Sequence, residues 1–314
     1  MTTKFTLKQL RYFVVAGEHQ SVTKAASLMF VSQPSISSAI QHLEHVTGLQ
    51  LFVRHHAQGL SLTPQGYRFF HKAKLLLNDA DDLSRFAETL GTEISGILNV
   101  VGFPTFTSMM MPAMLKQFVE KYPAVDIQCD ELHQQDIIQG LSNCKYELAI
   151  TYDMQLPESI EFIPLMVMPP YAVVSKDHAL AKRSCLSIEE LDEYPMVMLD
   201  WPLSKEYFNS LFYSHGIEPK VAFNAHSLGM AQGLVENGLG YSLLNTPMPS
   251  EDGANGKLVS IPLKGNLLPL TMGIAKLKQS RLSPVGNAFV EVLKEFNSSA
   301  QKQSPYSVIT SLAS

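Results

Sequence analysis

Apolar residues recur at helical spacing in several separate runs over the first ninety positions. Leu7, Leu10, Phe13 and Val14 form one stripe over residues 7–16. Ala25, Ala26 and Leu28 give a second, short helix ending near Met29, with Ser21 or Thr23 as its cap. After a tight connection, Ser32 caps a third helix and Pro34 occupies its first turn, where no N–H is required. Ile36, Ile40 and Leu43 face the core, which leaves Gln33, Pro34, Ser37, Ser38 and Gln41 outward. Residues 49–52 and 60–62 read as two short strands, with Arg54-His55-His56-Ala57-Gln58-Gly59 as the turn between them. Thr63-Pro64 then opens a long helix. On it Phe69, Ala73, Leu76, Ala80, Leu83, Ala87 and Leu90 are spaced alternately four and three apart, up to a C-cap at Gly91.

Three short helices whose last begins on a small, polar face form a helix-turn-helix, and the strand pair after it is a wing. The amide of Gln33 can pair with an adenine edge, while Pro34 or a hydroxyl can touch a thymine methyl or a phosphate. Arg54 can reach a phosphate or the minor groove. The His55-His56 pair also raises a metal site. Adjacent strand residues point to opposite faces, and no Cys, Asp or Glu lies near in sequence, so no metal is expected. The heptad predicts a coiled-coil seam: about 25 helical residues span about 37 Å, long for burial within one small domain.

Residues 5–66 resemble the N-terminal domain of LysR-type transcriptional regulators. The likeness is carried by Leu10, Phe13, Ala25-Ala26, the run Val31-Ser32-Gln33-Pro34-Ser35-Ile36-Ser37, Leu43-Glu44, Gly48, Leu51-Phe52, Arg54 and Leu62-Thr63-Pro64. It implies that Gln33, Pro34, Ser37 and Arg54 contact double-stranded DNA, and Ser32, Ser38, Gln41 and His55 complete the candidate DNA-binding set. Ser38 stands where members often carry Arg, and the wing holds fewer cations than usual. The resemblance also makes the long helix a dimerisation helix. Expected partners are an imperfect palindromic operator, a small-molecule effector and a second copy of the chain, with a homotetramer and RNA polymerase as further candidates.

From Ile97 the chain alternates strands and helices: strands at 97–102, 125–129, 147–151, 171–175, 221–223, 240–244 and 270–276, with helices between them. This rhythm predicts an α/β domain of two lobes around largely parallel strands, with Pro157, Pro164 and Pro169-Pro170 marking crossings. The whole chain is therefore read as α/β: a winged helix-turn-helix at 1–66, a linker helix at 67–91 and an effector-binding domain at 92–297. Lobe I takes about 95–163 and 268–297, lobe II about 164–267, and 298–314 is a loose tail. Ligands commonly bind between such lobes, where strands end and helices begin. The junction residues Pro104, Thr105, Phe106, Thr107, Thr151, Trp201, Ser204, His226 and Ser227 are the candidate effector site. Their hydroxyls and helix starts suit an anion or carboxylate. The absence of Lys and Arg from these loops argues against a phosphate ester, and the aromatic rings favour a partly apolar ligand.

Composition sharpens this picture. Residues 1–90 carry 9 Lys/Arg against 6 Asp/Glu and residues 91–314 carry 15 against 23, so only the N-terminal part is basic. At 46% apolar content the core is ample, yet no stretch of 18 apolar residues spans a membrane and no signal segment opens the chain, so a cytoplasmic protein is expected. Cys129, Cys144 and Cys185 lack metal spacing, and a thiol-based redox regulator of the same family is the alternative reading. An enzyme or a solute-binding protein is the competing class. Ser142-Asn143-Cys144-Lys145 fits Ser-x-x-Lys without the companion motifs of acyl transfer. No cofactor is expected.

Overall fold

The structure is a computed structural model that describes residues 4–55, 59–88, 94–248 and 256–303. The chain divides into two compact units, Met1–Gly96 with Ser142–Lys145, and Ile97–Leu141 with Tyr146–Ser314.

The first unit begins with α1 (Leu7–His19), α2 (Val22–Leu28) and α3 (Gln33–Thr47). A Thr6–Gln9 capping box starts α1, the Ser21 hydroxyl caps α2, and Gly48 in the left-handed region ends α3. Ser32 sits at the α3 N-cap, but its hydroxyl takes no backbone N–H and lies 2.9 Å from that of Ser35. The wing pairs β1 (Phe52–His55) with β2 (Gly59–Leu62), antiparallel. Its first strand thus starts later than the sequence suggests, because the Glu44 carboxylate accepts the N–H groups of Leu51 (2.8 Å) and Phe52 (3.2 Å). Residues 56–58 of the expected turn lie outside the described residues, and Arg54 and His55 belong to β1 itself. Phe13 is fully buried among Phe52, Phe69 and Phe70, at centroid distances of 5.3, 5.4 and 6.2 Å.

The helix α4 (Pro64–Glu88) is continuous for 25 residues. Phe70, Ala73 and Leu77 bury one side of it in the core of the first unit. Salt bridges Lys74–Glu18 (2.6 Å) and Arg11–Asp81 (2.7 Å) flank that side. Of the heptad, Ala73 is spent on this core and Phe69 packs against it. Leu76 and Leu83 stay 44% and 69% exposed, and Ala87 is exposed too. Leu90 and the Gly91 cap lie outside the described residues.

In the second unit β3 (Gly96–Gly102), α5 (Pro104–Met109), α6 (Met111–Lys121), β4 (Val125–Glu131), α7 (Gln134–Ser142) and β5 (Leu148–Tyr152) follow in turn. After them come β6 (Ile160–Met168), β7 (Tyr171–Ser175), α8 (Ile188–Leu191), β8 (Met196–Leu199), α9 (Pro202–Tyr213), β9 (Val221–Ala225), α10 (Leu228–Glu236) and β10 (Ser242–Leu244). The chain closes with β11 (Leu258–Pro262), β12 (Leu270–Leu277) and α11 (Pro284–Gln303). One sheet has the order β4-β3-β5-β12-β6, a second β10-β7-β11, and β8 pairs with β9. The expected largely parallel arrangement is mixed instead. β3 and β5 are parallel, but β12 runs antiparallel to both its neighbours and β7 antiparallel to both of its own. A strand that returns from a distant part of the chain needs no crossover helix, so nothing fixes it parallel. β5 and β7 are buried at every position, as central strands covered on both faces are. The helix α11 continues to Gln303, so 298–303 is helical rather than loose, and 304–314 lies outside the described residues.

Candidate DNA-reading and ligand-binding sites

The exposed start of α3 presents Ser32, Gln33, Pro34, Ser38 and Gln41 to solvent, with Ser37 half-buried one turn beyond Gln33. Gln33 donates from Nε2 to Thr23 Oγ1 at 2.9 Å. This bond to α2 fixes the amide plane and leaves Oε1 and one amide hydrogen free, the pair that an adenine edge accepts and donates to. Thr23, a cap candidate in the sequence, is therefore the residue that orients the Gln33 amide. On the wing, Arg54 and His55 are both exposed, and His55 Nε2 lies 2.7 Å from Ser61 Oγ.

The turn between α2 and α3 is closed by Val31 N–H on the Ala26 carbonyl (3.0 Å) and Phe30 N–H on that of Ser27 (3.3 Å). Such a helix end places one residue in the left-handed region, usually Gly or Asn. Here it is Phe30, with φ 53°, and its ring is 95% exposed.

In the second unit a cavity of about 280 Å³ gathers Pro104 and Ser108 of α5, Glu131 at the end of β4, Leu132 and His133 after it, and Asp136 of α7. Its other wall is Trp201, His226, Ser227 and the first turn of α10, Leu228 and Gly229. Four of the nine candidate effector residues thus meet here: Pro104, Trp201, His226 and Ser227. The other five do not line it. Phe106 and Thr151 are fully buried, and Thr151 is bonded to Gln134 Oε1. Thr107 donates to Glu131 at 2.6 Å. Thr105 and Ser204 line a separate crevice of about 20 Å³. Glu131, His133 and Asp136 are not among the candidates read from the sequence, although the junction after β4 too runs from a strand into a helix.

Beneath the crevice lies a buried hydroxyl network. Thr246 Oγ1 donates to Thr105 (2.9 Å) and accepts from the Tyr152 hydroxyl (2.6 Å), while the Tyr171 hydroxyl donates to the Thr246 carbonyl (2.7 Å). Burial raises the pKa of Tyr152, so it acts as a neutral phenol. The Trp201 indole N–H is committed to the His226 carbonyl at 3.1 Å.

Among the described residues no three His, Cys, Asp or Glu side chains could hold a metal ion. Two of the three thiols are held in the protonated form by their surroundings. Burial pushes both Cys129 and Cys144 up, and Asp130 and Glu131 push Cys129 further. Both should therefore react with iodoacetamide at neutral pH several-fold more slowly than free cysteine, followed by mass spectrometry over time. Labelling of either at or above the free rate would contradict this.

Comparison with known proteins agrees with this layout. Residues 7–67 match the family described as bacterial regulatory helix-turn-helix protein, lysR family, and residues 91–298 match the LysR substrate binding domain. The HTH-type transcriptional regulator CysB of Haemophilus influenzae is 31% identical over 76% of this chain and 75% of its own length. HinK, a LysR family transcriptional regulator from Pseudomonas aeruginosa, is 35% identical, with a TM-score of 0.60 over 93% of this chain and 98% of its own. CbnR in complex with its target DNA shares the fold at 20% identity, with a TM-score of 0.55 over 93% of this chain and all of its own. The chain belongs to the LysR family: it is a DNA-binding transcriptional regulator with an effector-binding domain, and not an enzyme.

Proposed function

We propose that α3 enters the major groove with Gln33, Pro34 and Ser37 at base edges and with Ser32, Ser38 and Gln41 beside them. Arg54 and His55 hold the flanking backbone from the wing. The observation that carries this reading is the Gln33 amide, oriented by Thr23 at an exposed helix start with a donor and an acceptor to spare. Gln33→Ala should weaken binding to the cognate site by about 1–3 kcal/mol while leaving random DNA unaffected. Arg54→Ala should weaken all sequences alike and reduce the salt dependence. Titrations of the DNA beside the protein's own gene against random duplex, at two salt concentrations, separate the two. Equal losses on both duplexes for Gln33→Ala would exclude base reading.

Within the same proposal, residues 1–66 read DNA, 67–91 pair two chains through the exposed edge of α4, and 92–297 sense a ligand. Two such dimers can build a tetramer on an imperfect palindrome, and contact with RNA polymerase completes the regulatory output. A small metabolite in the 280 Å³ cavity would bind one arrangement of this domain better than another; equal affinity would shift nothing. We place the protein in the cytoplasm, where its DNA is. Among the described residues no helix is long and apolar enough to cross a membrane.

A further inference from the structure

We infer that the ligand of the cavity is a small organic cation, an amine on a flat or apolar body, rather than the anion that helix starts alone would suggest. This rests on the effector reading just proposed. The wall built by Glu131 and Asp136 carries two carboxylates, and neither makes an ion pair with any described residue. Glu131 is held in place by a hydrogen bond from Thr107 (2.6 Å), with the Ser108 hydroxyl, 2.7 Å from the Pro104 carbonyl, a further 3.3 Å neighbour; these orient the carboxylate without cancelling its charge. Among the described residues no Lys or Arg lines the cavity.

A second observation comes from the opposite chemistry of the remaining wall. Trp201 packs at 5.0 Å from the His133 ring and 5.7 Å from Phe103, and its N–H is already spent on a backbone carbonyl. Trp201 is 5% exposed, so what the indole offers a guest is the strip of ring that lines the cavity, an electron-rich edge of the wall that favours a cation over an anion. Beside it His133 Nδ1 is buried with no partner among the described residues, a polar atom that a guest's N–H could satisfy. An inorganic cation is the wrong occupant, since no three ligating side chains among the described residues converge on one point. The volume, about 280 Å³, sits at the small end of ligand pockets and suits a metabolite smaller than a nucleotide.

The test uses the full-length protein and three probes with one body: phenethylamine, 2-phenylethanol and phenylacetate. Putrescine and agmatine serve as further amines. Thermal melting and calorimetric titration should show at least one amine binding at least tenfold more tightly than the neutral and anionic probes. Glu131→Gln and Asp136→Asn, each measured against its own unliganded melting curve, should each weaken that amine about fivefold or more. Preferred binding of phenylacetate, lost in Ser227→Ala, would overturn the cation while keeping the cavity as the sensor site. Amine binding undisturbed by both carboxylate variants and by Trp201→Phe would overturn the site itself. No binding by any amine would also overturn the proposal.

A different observation carries a second inference: Phe30 is a DNA contact. Its backbone lies in a region that bulky residues avoid and its ring is almost wholly exposed, so neither feature stabilises the free protein. It stands three residues before Gln33, at the entrance of the reading helix. Bound deoxyribose or a thymine methyl would cover the ring. Phe30→Asn fits the left-handed backbone better, so it should raise the melting temperature and yet weaken binding to DNA beside the protein's own gene about fivefold or more. Unchanged DNA affinity in Phe30→Asn and Phe30→Ala would overturn the contact.

Discussion

Replacing Leu76 and Leu83 together with Asp should give a folded monomer whose affinity for its operator falls by roughly a thousandfold, toward the level of non-specific binding. Both side chains are substantially exposed on α4, while the side facing α1 is filled by Phe70, Ala73 and Leu77. In an isolated chain the substitutions touch solvent and should change stability by no more than about 0.5 kcal/mol. Across a paired seam they would bury four carboxylates against one another with no cation to match them. Sedimentation should report the loss of the dimer, and circular dichroism the unchanged fold. A variant that still sediments as the parent would show that this edge of α4 joins no second chain.

Gly66→Ala should lower the stability of the N-terminal unit by about 3 kcal/mol. A Cβ on Gly66 would sit 1.9 Å from the Leu51 carbonyl oxygen and 2.8 Å from its carbon, backbone atoms that cannot rotate away. Retreat of the helix is also blocked. The same carbonyl accepts Thr63 N–H at 3.0 Å, and the Thr63 hydroxyl donates to the Gln50 carbonyl at 2.6 Å and accepts Gly66 N–H at 2.8 Å. At roughly 4–8 °C per kcal/mol for a domain of this size, the N-terminal transition should fall by about 12–24 °C. A melting curve within about 2 °C of the parent would show that the close approach can relax.

The N-terminal unit was legible because local signals agree there: caps at Ser21 and Thr63, Pro34 in a first turn, Gly48 at a helix end, and an apolar face on each helix. The start of the wing was misplaced because its N–H groups are satisfied by a side chain, Glu44, that is remote in sequence. In the second unit, β6 was read as a crossing on the strength of Pro164. Yet β6 is the edge of its sheet, where a missing N–H is tolerated, and Pro164 meets the register shift beside Gly273. The four-residue strand β8 and the strand β11 carry too little pattern to be told from loop. The candidate ligand site was half legible. Helix starts revealed Pro104, Trp201, His226 and Ser227, but which junctions converge depends on strand order, and Thr105 and Thr151 satisfy their hydroxyls internally instead.

The place of β12 in its sheet sets a timetable for synthesis. It fills the position between β5 and β6, yet it is separated from β5 by more than a hundred residues of chain. Until it leaves the ribosome, β5 has an open edge and β6 has no partner at all. The core of the DNA-reading unit, by contrast, is complete once Leu77 has emerged. At roughly 5–20 residues per second, the remaining 200 or so residues up to Leu277 take about 10–40 s. From the emergence of Tyr152 onward, about 6–25 s of that interval, a nascent chain carries a finished DNA-reading unit beside an unpaired, aggregation-prone sheet. A truncation that keeps β5 and β6 but removes β12 would make that condition permanent.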